Sequence, residues 1–457
     1  SPSQAAVIVE NACRAQARGH CLEAIGRGLT QSQRQAVNFA HRRRVSVVQG
    51  PPGTGKTSTA ARVVELWRQV HGGNILCCAD SNAAADRLAQ ALLKRGIFCV
   101  RLGHTADHEG LQHMKKLRAY SDYSKKKDVA SRVKLEQQAI RMFRVAVTTC
   151  IGSGHESLQR LSFPSVVIDE CTQAVVPSTL VPLGLGARRV VLLGDHQQLP
   201  PTILYEEAGR SGYQRSLFER IVAARPEWSV LLDVQWRMHP SLMEFPSREF
   251  YARRVRSHES CAGLSPVDGL AWPPGVRVLC VDVQNGQEEG VGSSLRNHAE
   301  MEAIIDLLEK VSLPRDDIGI ITPYHAQKSL LRKALKESPH HGVVVDTVDG
   351  FQGSERDLIL FSAVRSNADG RLGFVSDRRR MNVALTRARR GLVVFVSCDT
   401  VGGRALRGRA SEMTDAHSDP HVWQRWVRWA QAAAAVNRNF LPFETWRGGS
   451  LDSQDSC

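Results

Sequence analysis

Short runs of β-branched and apolar residues recur along the chain, each followed by a stretch with helix-like spacing of its apolar positions. Val45–Gln49, Asn74–Ala79, Val145–Thr149, Ser165–Ile168 and Arg189–Leu193 form one set. Val276–Val281, Ile318–Thr322, Val343–Val345, Leu358–Ala363 and Leu392–Ser397 form another. Bounded apolar runs of about four to eight residues suit strands covered on both faces, and their alternation with helices suits parallel sheets. The pattern predicts an α/β chain of two tandem parallel-sheet domains, over 29–232 and 233–435.

Several segments break the rhythm. Residues 106–143 are polar, with Lys115, Lys116 and the Lys125–Lys127 run, and read as charged helices inserted into the first domain. Val255–Pro274 is rich in Pro, Gly and Ser and reads as a surface excursion. Trp423, Trp426 and Trp429 fall near one helix face, a stripe expected to pack rather than to bind. Residues 1–28 suit a partial stalk helix and 436–457 a tail.

Composition narrows the function classes. Lys and Arg number 60 against 46 Asp and Glu, for a formal charge of +14, and Arg supplies 48 of the 60. Such a surplus points to a polyanionic partner, nucleic acid before membrane. No run of 18 uncharged apolar residues exists, so no membrane span is expected. The 11 cysteines form no C-x-x-C pair, which supports neither a zinc nor a disulfide framework. Free thiols suit a reducing compartment, the cytoplasm or nucleus.

The chemistry begins at Gly50-Pro-Pro-Gly-Thr-Gly-Lys-Thr57, which fits G-x-x-x-x-G-K-[ST] between a strand-like and a helix-like stretch. Glycines let backbone N–H groups curl around phosphate oxygens; Lys56 supplies charge, and the Thr57 hydroxyl suits Mg²⁺. A second strand ends in Asp169-Glu170. Asp169 suits the metal, and Glu170 suits activation of a water. Together these features predict an NTP-hydrolysing site.

Read in order, the motifs resemble those of superfamily 1 helicases, and most nearly the up-frameshift (nonsense-mediated decay) helicase group, from about Gly28 to Ser397. The resemblance implies two RecA-like domains with ATP in the cleft between them. Gln33 resembles the adenine-reading Gln, and Gly53, Thr54, Gly55, Lys56, Thr57 and Ser58 the phosphate cradle. Asp169-Glu-Cys-Thr-Gln173 is similar to the D-E-x-x-Q box, and Gln198 in Gly194-Asp-His-Gln-Gln-Leu-Pro200 to the γ-phosphate sensor. In Val234-Gln-Trp-Arg-Met-His-Pro240 the group usually carries Tyr where Trp236 stands, and the aromatic face kept there is implied to stack on adenine. Arg237 and Arg387 are implied as cations reaching the γ-phosphoryl, and Glu355 as a residue near the ribose.

The motifs Asp80-Ser-Asn-Ala-Ala-Ala-Asp86, Val147-Thr-Thr-Cys-Ile-Gly152 and Ile321-Thr-Pro-Tyr-His-Ala-Gln327 resemble nucleic-acid contact loops. They offer Ser81, Asn82, Thr149 and Thr322 to the sugar-phosphate backbone, and Pro323 with Tyr324 as a flat face for a base. The group usually has Pro where Asp80 stands.

The implied activity is ATP-driven 5′→3′ movement on single-stranded nucleic acid, RNA favoured over DNA. The alternatives are an ATP-gated RNA clamp with little unwinding, and a DNA helicase of the same superfamily. The group's upstream zinc domain and β-barrel have no counterpart in this sequence. No zinc is expected in this chain, and protein partners are expected to use an upstream region.

Overall fold

The fold is that of a computed structural model, which describes residues 23–103, 129–402, 419, 421–433 and 435–437. Most of the expected stalk, tail and charged insertion lies outside the described residues; the first two residues of the expected tail form a short strand instead. The chain divides into two units, the first running through Val234 and the second from Gln235, with Gln197–Leu199 grouped in the second.

The first unit is a seven-stranded sheet in the order β3-β4-β2-β5-β6-β1-β7, every pairing parallel. Its strands are β1 (Val45–Gln49), β2 (Ile75–Ala79), β3 (Val100–Arg101), β4 (Val145–Thr149), β5 (Ser165–Asp169), β6 (Arg189–Gly194) and β7 (Ser229–Leu231). β2 and β5 are buried at every position, which explains their uninterrupted apolar sequence. Helices α1 (Gln31–Arg42), α2 (Lys56–Val70), α3 (Asn82–Leu93) and α4 (Val129–Phe143) cover the sheet with α5 (Val176–Leu183) and α6 (Leu217–Ala224). Register aligns the carboxyl ends: Gln49 lies opposite Gly194, and Ala79 lies opposite both Thr149 and Asp169. The residues that follow these strands therefore emerge along one edge, where parallel sheets hold ligands.

The second unit has a six-stranded sheet of parallel pairs. Its strands are β8 (Val278–Asp282), β9 (Ile318–Thr322), β10 (Val344–Thr347), β11 (Arg356–Ser362), β12 (Ala388–Val396) and β13 (Val436–Asn437), in the order β10-β9-β11-β12-β8-β13. Helices α7 (Pro240–Phe250), α8 (His298–Leu308), α9 (His325–Lys336), α10 (Arg378–Leu385) and α11 (His421–Ala432) accompany it. The tryptophan stripe lies on α11 and is core: Trp423 is fully buried, donates to the Val375 carbonyl at 2.7 Å and stacks on Phe361.

Candidate nucleotide site

β1 delivers the chain into the glycine loop, and α2 leaves it at Lys56. Gly53 and Gly55 take the left-handed backbone (φ 73° and 79°) that lets the loop close on itself. Gly50 is required by contact instead: a Cβ there would lie 2.0 Å from Lys56 Cγ. Thr54 ties the turn by donating its hydroxyl to the Pro51 carbonyl at 2.7 Å. Ser58 is exposed in the first turn of α2. Lys56 Nζ donates to the Gly50 carbonyl at 2.8 Å and lies 3.9 Å from Glu170.

β5 presents Asp169 to the same edge, where it accepts from the Thr57 hydroxyl at 2.7 Å. Burial, and then the neighbouring Glu170 carboxylate, push the Asp169 carboxyl up to about 6, against the pull of Thr57 and Lys56. A buried carboxylate and a hydroxyl set side by side are hard oxygen donors whose charge is under-compensated, and this donor set fits Mg²⁺. Glu170 takes a left-handed backbone (φ 50°), and Gln173 donates to its carboxylate at 3.3 Å. A non-glycine residue in that region costs about 1–3 kcal/mol and is held there by its surroundings. Here the turn swings Glu170 out of strand register toward Lys56.

Gln33 is buried and partly committed. Its oxygen accepts from Thr30 N at 3.1 Å and its nitrogen donates to the Thr54 carbonyl at 3.0 Å, tying the start of α1 to the phosphate loop. A primary amide has two donors and two lone pairs. One donor and one acceptor remain, a complement to the N7/N6 edge of adenine.

In the second unit two of the residues expected at the nucleotide stand at the amino ends of strands. Glu355 and Arg387 directly precede β11 and β12. Glu355 is not presented alone. Its carboxylate pairs with Arg237 and accepts two bonds from Arg389 (3.0 and 2.8 Å). Burial would raise its carboxyl, but Arg237 and Arg389 outweigh burial and hold it below the usual range. The geometry makes Glu355 a holder of these arginines first. Arg237 also donates to the Thr386 carbonyl at 3.0 Å. Arg387 is buried, donating to the Val383 carbonyl at 2.9 Å and to Gln198 at 3.2 Å. Trp236 is 46% exposed, with one face stacked on His258.

The residues expected at a nucleic-acid strand mostly serve their own loops. Thr322 is fully buried and its hydroxyl accepts from Tyr324 N, while Tyr324 is itself 4% exposed. Neither presents the surface expected of it, because both fold back under the turn after β9; Pro323 between them is half-buried. Ser81 caps α3, accepting from Ala84 N at 3.2 Å. Asn82 accepts from Arg101, which also forms a buried ion pair with Asp86. Thr149 accepts from Gly152 N at 2.9 Å. Short polar side chains after a strand are natural caps for the next turn, and that local use competes with the surface role.

Sequence reasoning left Gln235 and His258 without roles. Gln235 lies inside a quoted motif but is flanked by more conspicuous residues. His258 sits in the segment taken as a surface excursion, with no motif around it.

Lys56, Thr57, Asp169 and Glu170 at the carboxyl edge of a parallel sheet define a P-loop nucleotide-hydrolase domain. Models described as AAA domains match residues 28–134 and 111–206 of this chain, and residues 213–399. The chain is 36% identical over 404 residues to a regulator of nonsense transcripts 1 homolog from Drosophila melanogaster and, over 404 residues, to the ATP-dependent helicase NAM7 from Saccharomyces cerevisiae. It is 34% identical over 426 residues to a Schizosaccharomyces pombe protein likewise named an ATP-dependent helicase. These matches take in 80%, 80% and 83% of this chain, but 34%, 41% and 45% of the relatives. The chain spans less than half the length of the curated relatives it matches. The chain belongs to the AAA-domain superfamily 1 helicase family, in the group of the regulators of nonsense transcripts. A solved arterivirus helicase also resembles it over 80% of this chain and 64% of its own, at 16% identity and a TM-score of 0.42, too distant to add to that.

Proposed function

We propose that this chain is the motor core of an ATP-dependent helicase, moving 5′→3′ on single-stranded nucleic acid, with RNA preferred. The observation that carries the reading is the assembly of Lys56, Thr57, Asp169 and Glu170 at one strand edge. Two of the relatives are named ATP-dependent helicases.

In this reading the glycine loop and Lys56 bind the β- and γ-phosphates. Glu170, held by Gln173, orients the attacking water and takes its proton. Thr57 and Asp169 would hold Mg²⁺, which when bound neutralises charge on the phosphate oxygens. Arg237 and Arg387 stabilise the charge that develops on the γ-phosphoryl, a contribution of roughly 10³–10⁵ in rate for such a cation. Gln198, bonded to Arg387, is suited to report the loss of the γ-phosphate. Ser81, Asn82 and Thr149 remain candidates for the strand through the valences their bonds leave open, and Pro323 through its flat face.

Among the described residues no helix is long and apolar enough to cross a membrane. The reading places the protein in the cytoplasm or nucleus. The test is steady-state ATPase without polymer, with poly(U) and with poly(dT), at matched salt, because a +14 chain binds any polyanion at low ionic strength. Stimulation by poly(U) above poly(dT) is expected. ATP turnover unaffected by either polymer would sink the motor reading, and equal stimulation would remove the preference for RNA.

A further inference from the structure

Two neighbouring strands of the first unit are entered through arginines. Arg42-Arg43-Arg44 lead into β1, and β6 opens with Arg189 directly after Arg188. The strands pair in parallel with Val45 opposite Val190, and Val190 N donates to the Arg44 carbonyl at 2.7 Å. Arg44 and Arg189 therefore stand side by side at the amino edge of the sheet, with Arg188 one residue back. Arg188 N and Arg189 N both donate to the Pro164 carbonyl at 2.9 Å, which fixes the backbone that carries them.

Local structure explains two of these five residues. Arg43 donates to the Glu227 carbonyl at 3.2 Å and lies 4.2 Å over the Phe39 ring. Arg42 ends α1, where a cation complements the helix carboxyl end. Arg44, Arg188 and Arg189 have no such use. Among the described residues their side chains make no ion pair or hydrogen bond. Arg44 and Arg188 are exposed, and Arg189 is half-buried. Glu227, which leads toward β7, is already paired with Arg225 at 3.8 Å. Like charges set side by side repel, and here no neighbouring carboxylate offsets that cost.

The opposite edge of the same sheet carries carboxylates: Asp80 follows β2, Asp169 ends β5 and Asp195 follows β6. β1 is five residues long, which separates the two edges by about 17 Å. Stretches 41–45 and 185–190 hold no exposed large apolar side chain, the anchor that a protein partner would need. Guanidinium groups match phosphate oxygens in paired hydrogen bonds.

We propose that Arg44, Arg188 and Arg189 form a docking surface for the phosphate backbone of nucleic acid, at the edge of the first unit opposite Lys56 and Asp169. The proposal rests on the reading of this chain as a nucleic-acid motor. It adds a tether that holds the polymer without reading it, because phosphate contacts carry no sequence information.

The test is anisotropy binding of labelled oligo(U) and oligo(dT) to the full chain across a salt series. Arg44→Gln, Arg188→Gln and Arg189→Gln are combined in one variant. Each lost phosphate contact on a single strand lowers the slope of log K against log salt by about 0.7. The slope should therefore fall by about 2, and affinity at about 0.1 M salt by about 10- to 100-fold, by the same factor for both oligomers. Lys at the same three positions keeps the charge and should keep the slope. ATP turnover without polymer should match wild type in both variants. If the triple variant does not fold, Arg44→Gln and Arg188→Gln carry the test singly, each lowering the slope by about 0.7.

An unchanged slope in the Gln variants would overturn the proposal and leave this edge to another acidic partner or to solvent. An equal loss in the Lys variant would also overturn it, by marking a structural role. So would an equal loss on changing Arg253, Arg254 and Arg256, exposed in the second unit, to Gln, because net charge alone would then suffice. Failure of the wild-type chain to bind any nucleic acid would instead refute the motor reading itself.

Discussion

Glu300 lies near the start of α8 with none of its surface exposed. Its oxygens accept from Val364 N (3.0 and 2.9 Å) and from the Ser362 hydroxyl at 2.5 Å. Asn297 holds the Val364 carbonyl at 3.1 Å, and Gln327 donates to the same Ser362 hydroxyl at 3.1 Å. Between them these residues secure Val364 in a left-handed backbone (φ 69°), a costly conformation for a β-branched side chain. The Ser362 and Val364 donors favour the carboxylate, but burial outweighs them and raises the Glu300 carboxyl from 4.5 to about 8.

The sign follows from linkage. The folded state keeps its proton up to about pH 8, whereas the unfolded chain gives it up near 4.5. Stability from this group is complete below 4.5 and falls as pH rises toward 8. The slope is about 1.4 kcal/mol per pH unit, so from pH 6 to pH 8.5 the loss is about 3 kcal/mol. Glu300→Gln keeps the shape and an acceptor for Val364 N and does not titrate. The assay is urea unfolding of both proteins across pH 6–8.5. It is followed by tryptophan fluorescence, to which Trp236, Trp272, Trp423, Trp426 and Trp429 of the second unit contribute. All other titrating groups cancel in the difference. The variant should gain on wild type by about 3 kcal/mol over that range. A difference that stays constant with pH would mean that Glu300 is ionised throughout, and the account of its burial would be wrong.

Three further outcomes are expected. Lys56→Ala removes the charge that faces the phosphates and should abolish ATP turnover with the fold retained by circular dichroism; preserved turnover would place the phosphate site elsewhere. Arg387→Ala should slow single-turnover hydrolysis by roughly 10³-fold while nucleotide binding changes only a few-fold; weak binding with normal turnover would contradict the role of the cation. Trp423→Ala empties a fully buried site and strands the Val375 carbonyl, at a cost of about 3–5 kcal/mol, and thermal melting should show it; a loss under about 1 kcal/mol would mean that α11 is not part of the core.

Features that depend on adjacent residues were readable from sequence. The glycine loop needs only its own eight residues and the strand and helix on either side, and it sits where the spacing placed it. The strands were readable because burial on both faces leaves an apolar run, as in β2 and β5. Boundaries shifted where charge enters a strand: β11 begins at Arg356 rather than at Leu358, and β12 at Ala388 rather than at Leu392. Pairings between distant positions were not readable. Nothing in the sequence around Asn82 indicates Arg101, and nothing around Glu355 indicates both Arg237 and Arg389. A threonine after a strand looks the same in sequence whether it faces solvent or, like Thr322, folds under its own turn.

In the first unit the candidate residues follow β1 and β5, and α2 begins at the loop. A helix amino end offers backbone N–H groups and partial positive charge, so backbone can do much of the phosphate binding and glycine is the residue it needs. In the second unit Glu355 and Arg387 precede their strands. There α10 ends, and a helix carboxyl end exposes carbonyls and partial negative charge, which repel phosphate. Backbone at that edge cannot bind an anion, so any contribution to one must come from cationic side chains. Those cations are held by the carbonyls themselves: Arg387 donates to Val383 O at 2.9 Å and Arg237 to Thr386 O at 3.0 Å. The end of α10 that would reject a phosphate thus anchors the two arginines proposed to act on one, and it holds them before any nucleotide arrives.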